Sequence, residues 1–130
     1  YALLPHEGDW RKARVYRHGL AFNNPLLVRC PDAHAGELPA CKSFLGISAD
    51  NVVASMVKNA DEHLVMRVYE AEGRPSSDVK LRLDWHADRV HETNLIGDDA
   101  REVRVGKNGI TFDIGAFEIK TFRISRTGAE

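Results

Sequence analysis

Val79, Leu81, Leu83 and Trp85 alternate with Lys80, Arg82 and Asp84, which places an apolar residue at every second position. Successive side chains of a strand point to opposite faces, so this pattern demands a sheet with one face buried and one wet. The demand recurs along the chain. Leu64, Met66 and Val68 alternate with Val65, Arg67 and Tyr69, and Ile110, Phe112 and Ile114 follow Asn108-Gly109, a hairpin signal into which Val103 and Val105 lead. Shorter runs at Ser43-Phe-Leu-Gly-Ile-Ser48 and Val52-Val-Ala-Ser-Met-Val57 are joined by Ala49-Asp50-Asn51, a turn by composition, and Gly73 to Ser77 reads as a loop. Val90 to Leu95 makes a weaker strand. Phe117 and Ile119 then fall on one face and Phe122 and Ile124 on the other, which predicts a β-bulge near Lys120-Thr121. Runs of this length between turns predict a mainly β fold, an antiparallel β-sandwich over residues 43–124.

Residues 1–42 differ in kind. Tyr1-Ala-Leu-Leu4 reads as a strand end, and with no initiator Met before it the chain is expected to be a piece cut from a larger polypeptide. Asp9 is placed to cap one short N-terminal helix. Trp10, Ala13, Tyr16 and Leu20 fall on one face at helical spacing, with Arg11, Lys12, Arg14 and Arg17 elsewhere. Cations in its first turn oppose the helix dipole, so packing must hold it. Asn23-Asn24-Pro25 stops it, Leu26-Leu27-Val28 reads as a strand, and Pro31, Gly36 and Pro39 mark an irregular connector.

At 130 residues the chain is expected to be one domain with a real core. Its net charge of −1, with both signs interspersed, leaves no basic stripe for a nucleic acid, and no apolar run approaches a membrane span. Two cysteines, Cys30 and Cys41, are too few to staple a secreted mini-domain. They are expected to be free thiols in a protein of cytoplasmic origin.

His6, Glu7, Asp9 and Trp10 form the densest group of potential acid–base residues. Carboxylates that grip hydroxyls beside an aromatic plate would suit the rim of a sugar site. Capping accounts for Asp9 without a ligand, Trp10 can fill a core and His6 can bond backbone across the turn. Cys30, His34 and Cys41 match no compact zinc spacing, and His86 and His91 flank the turn at Ala87-Asp88-Arg89 as ordinary turn histidines, so no metal site is expected. No Gly-x-Ser-x-Gly, activated thiol or phosphate loop is present. Phe44, Tyr69, Trp85, Phe112, Phe117 and Phe122 sit mostly at alternate strand positions and are expected in the core, with Trp85 able to reach a rim.

The order of several segments resembles the C-terminal region of family 38 glycoside hydrolases, the zinc-dependent α-mannosidases. They are Leu4-Pro-His-Glu-Gly-Asp-Trp10, Phe22-Asn-Asn-Pro-Leu26, Ser43-Phe-Leu-Gly-Ile47 with Asn51-Val-Val53, Leu64-Val-Met-Arg-Val-Tyr-Glu70, and Phe117-Glu-Ile-Lys-Thr-Phe-Arg-Ile124. The resemblance implies a non-catalytic C-terminal β-sandwich whose partner is a catalytic domain that holds zinc and hydrolyses terminal α-mannose residues of a glycan with retention. None of the family's zinc or nucleophile motifs falls on this chain, so no catalytic residue and no cofactor is assigned to it. The His6 to Trp10 turn is the candidate contact with the substrate rim. The alternatives are a free-standing carbohydrate-binding β-sandwich module, which should show a row of exposed aromatics, and an immunoglobulin-like interaction domain.

Overall fold

The computed structural model describes residues 1–33, 35–60, 63–98 and 100–125. Tyr1–Ala40 and Cys41–Glu130 form two compact units.

In the first unit, Asp9 does cap a turn: its Oδ1 accepts from the backbone N–H of Arg11 at 3.0 Å and of Lys12 at 2.8 Å. The turn does not propagate. Arg14 adopts a left-handed conformation with φ 50°, and helix α1 spans only Val15–Asn23. No acidic residue lies in its first turn, and none of its residues is buried. The expected apolar face therefore covers no core, and Trp10 is exposed with the Arg11 guanidinium 4.5 Å from its ring centroid. Asn24 closes the helix as its composition predicts, its backbone N–H and its side-chain amide both donating to Leu20 O at 2.9 Å. The two expected strands here are absent. Tyr1–Leu4 and Leu26–Val28 are exposed segments without regular structure, paired with none of the described strands. An apolar run makes a strand only when a ladder partner satisfies its backbone, and neither run has one.

The second unit is the sandwich. Its strands are β1 (Leu45–Ile47), β2 (Val52–Ala60), β3 (His63–Glu70), β4 (Ser76–Leu83), β5 (Arg89–Thr93), β6 (Arg101–Val103), β7 (Val105–Gly106), β8 (Gly109–Ile114) and β9 (Ile119–Ser125). One sheet has the order β1-β4-β8-β7 and the other β2-β3-β9-β5-β6, with antiparallel pairing throughout. The alternation fixes which residues meet between them. Val79, Leu81, Leu83, Ile110, Phe112 and Ile114 of the smaller sheet pack against Val52, Met66, Val68, Val90, Phe122 and Ile124 of the larger one. Phe112 and Phe122 join the layers, with ring centroids 4.9 Å apart and a 53° tilt.

Two features depart from expectation, while the Gly106-Lys-Asn-Gly109 hairpin between them forms as the sequence predicts. Val103 and Val105 do not share a strand: the chain leaves the larger sheet at Val103, passes Arg104 and enters the smaller sheet at Val105. The hairpin that follows loops through Lys107-Asn108, with Gly106 opposite Gly109. Gly109 itself sits at φ 127°, where a Cβ would come within 2.0 Å of Leu81 O. Lastly, β9 has no bulge; its register with β3 and β5 is unbroken. Phe117 lies before the strand, in a turn at φ 56°, and Ile119 points to the outer face, half exposed. The apparent change of face belongs to that turn. Register shifts occur instead between Ala54 and Met56 and between Ser76 and Val79.

Candidate functional site

His6, Glu7, Asp9 and Trp10 are all exposed in the first unit, Asp9 engaged as a cap. Cys30 and Cys41 are exposed free thiols, and His34 lies outside the described residues. His86 Nε2 stands 3.4 Å from Asp88 Oδ1, while the His91 Nδ1 and Trp85 Nε1 atoms are buried without a hydrogen-bond partner. Trp85 is half-buried against the core. Phe44 and Phe117, expected inside, are exposed. Among the described residues no three His, Cys, Asp or Glu side chains converge to hold a metal.

The most elaborate polar constellation centres on Glu70, at the end of β3. Its parity with Met66 and Val68 turns it inward, and it is 1% exposed. No cation pairs with it among the described residues. Its carboxylate accepts instead from the backbone N–H groups of Glu72, Gly73, Arg74 and Phe117 at 2.7 to 3.2 Å and from Asn51 Nδ2 at 2.9 Å. Burial pushes the carboxyl pKa up, and the bonds from Phe117, Glu72, Asn51 and Gly73 more than reverse this, leaving it below its ordinary 4.5. Asn51 also donates to Arg74 O and to Ser76 Oγ, each at 2.9 Å. One carboxylate and one amide thus clamp the starts of β2 and β4, the end of β3 and the approach to β9. Gly73, at φ 72°, completes the clamp: a Cβ there would lie 2.6 Å from the Phe117 ring.

A second charge cluster crosses the larger sheet. Lys120 Nζ lies 2.5 Å from Glu92 Oε1 and 3.2 Å from Glu118 Oε1, and its side chain is 13% exposed. Burial pushes the ammonium pKa down, and the two carboxylates more than offset that, leaving it raised. Lys120→Ala leaves Glu92 facing Glu118 unneutralised and is expected to cost roughly 2 kcal/mol. Urea unfolding of Lys120→Ala, Glu92→Ala and the double variant checks this: the double variant should lose less than the sum of the two singles.

The outer face of the smaller sheet carries a trough of 520 Å³. One level of it runs Gly46, Arg82, Gly109, Gly106 across four strands in register. Three of those four positions have no side chain, and the Arg82 side chain lies over Gly46. The next level holds Ser48, Lys80 and Thr111, with Ser48 Oγ accepting from Lys80 N at 2.9 Å. Neither Lys80 nor Arg82 pairs with a carboxylate among the described residues. Sequence alternation places both cations outward, but their glycine surroundings depend on the register of four strands.

Residues 51–122, more than half the chain, match the family described as the glycosyl hydrolases family 38 C-terminal beta sandwich domain. The chain belongs to this family. The matched span opens on Asn51 and closes on Phe122, so this family 38 C-terminal sandwich contains the whole Glu70 clamp. A stretch of 79 residues is 37% identical to human alpha-mannosidase 2C1, covering 56% of this chain. That stretch covers 7% of the human protein, so the family 38 sandwich corresponds to a small part of a much longer polypeptide. No solved structure matches the chain.

Proposed function

We propose that the chain is the non-catalytic C-terminal sandwich of a zinc-dependent, retaining α-mannosidase that hydrolyses terminal α-D-mannose residues. Its partner is the enzyme's own catalytic domain, which it buttresses and through which it serves a mannose-containing glycan. The family match across the Glu70 clamp carries this reading. The donor set of the described residues does not fit zinc, since no three potential ligands converge. In this proposal the zinc and both reacting carboxyl groups reside in the catalytic domain, and the His6 to Trp10 turn lies near its substrate rim. In this proposal the parent enzyme works in the cytoplasm, a reading supported by the exposed free thiols of Cys30 and Cys41, which suit a reducing compartment.

The 130-residue chain is expected to release no aglycone from an aryl α-mannoside, with or without added zinc, and to bind no free mannose at low millimolar concentration. Turnover would overturn the supporting role, and saturable mannose binding would favour an independent sugar-binding module. Within the full-length enzyme, excising the sandwich is expected to lower the yield of active protein. Full activity and thermal resistance without it would count against buttressing.

A further inference from the structure

The Glu70 clamp and the Lys120 cluster serve the fold. The trough on the smaller sheet has no such role in view: Lys80 and Arg82 stand on its floor without a carboxylate partner among the described residues. The geometry points to a binding site for an oxyanion of the phosphate type, carried on a small sugar-sized molecule or present as free phosphate. This site stands whether or not the chain serves a mannosidase.

Four observations combine. First, two cations project from one strand at alternate positions, Lys80 and Arg82, so a single ligand can meet both. An Arg fork and a Lys point charge are the side chains that recognise phosphate. Secondly, two hydroxyls lie beside the cations. Ser48 Oγ already accepts from Lys80 N, so its own hydrogen is directed elsewhere, and Thr111 lines the same wall. Thirdly, Gly46, Gly109 and Gly106 add no side chain to the level of Arg82, and the guanidinium lies over Gly46, where a Cβ would stand 3.5 Å from its Nε and Nη2. Fourthly, 520 Å³ lies within the range of small-molecule sites and exceeds what a bare phosphate requires, leaving room for an attached ring. Two carboxylates on this side are engaged elsewhere and do not line the trough: Asp84, two residues beyond Arg82, pairs with Lys42 at 2.8 Å, and Asp113 accepts from the Asp78 backbone N–H at 2.8 Å.

Amide NMR titration of the 130-residue chain tests this with mannose 6-phosphate, inorganic phosphate and mannose as probes. Mannose 6-phosphate should shift the Gly46, Gly106 and Gly109 amides saturably at millimolar concentration, while mannose should not. Weaker binding of inorganic phosphate would assign the sugar as part of the ligand, and equal binding would assign free phosphate, both within the same oxyanion site. Arg82→Ala should weaken binding roughly tenfold or more. Gly46→Ala should leave the fold intact, because its Cβ meets Arg82 Nε and Nη2 at an ordinary 3.5 Å, and should weaken binding by crowding the guanidinium. Lys58→Ala, on β2 of the other sheet, should change nothing. The proposal fails if neither phosphate probe saturates, if Arg82→Ala binds as tightly as the parent chain, or if mannose shifts the same amides equally well.

Discussion

Replacing Glu70 with Ala is expected to destabilise the sandwich by about 3–5 kcal/mol, enough to unfold much of it at physiological temperature. The carboxylate accepts five hydrogen bonds while 1% exposed, and removing it takes the acceptor from four backbone N–H groups and an Asn51 amide in a buried to part-buried site. Glu70→Gln keeps the shape but presents an NH₂ group to a ring of donors, so most of the loss should remain. Urea denaturation of both variants decides the matter; a loss under 1 kcal/mol for Glu70→Ala would show that the clamp is not a stabilising element. The same group sets a pH dependence. Its folded pKa lies below 4.5, so between that value and 4.5 the unfolded chain holds more protons than the folded one. Glu70 therefore contributes stability that is fully present above the unfolded pKa and is lost as pH falls through the folded pKa. In Glu70→Gln the acid decline of the melting temperature should be shallower, with the two melting curves converging toward low pH.

Phe122→Ala is expected to cost roughly 3–5 kcal/mol through a different cause. Phe122 is fully buried at the centre of β9, hydrogen-bonded into the sheet between β3 and β5 and tilted against Phe112 of the opposite layer. Its truncation removes apolar burial, opens a cavity and deletes the tilted aromatic pair. Ile119→Ala, on the outer face of the same strand and half exposed, should lie within about 1 kcal/mol of the parent. Comparable losses at both positions would contradict the assignment of faces.

That pair of residues also shows what the amino-acid order reveals and what it withholds. Period-two alternation in Val79, Leu81 and Leu83 and in Phe122 and Ile124 identified buried faces correctly, because a sheet with one covered face allows no other phase. Phe117 and Ile119 broke the phase, and the order of residues alone does not distinguish a bulge from a turn that ends before the strand begins. The left-handed Phe117, held by its N–H on Glu70, is what distinguishes them. Glu70 was legible as an inward position by parity with Met66 and Val68, yet its partners come from residues 51, 72 to 74 and 117, and only the folded chain brings those together. The apolar segments Tyr1–Leu4 and Leu26–Val28 misled for the complementary reason: hydrophobicity signals an appetite for burial, not the presence of a pairing edge. In the trough, Lys80 and Arg82 were readable as outward charges, while the floor level with Arg82 required three separate strands to bring glycines together.

The passage of the chain from β6 to β7 ties that floor to the rest of the molecule. Val103 belongs to one layer and Val105 to the other, with Arg104 alone spanning them. Gly106, at the rim of the trough, is therefore three residues from a strand paired to β5. Tension exerted on one layer at this corner reaches its opposite through a covalent staple rather than through side-chain contacts, so the layers cannot slip past each other here without breaking a ladder.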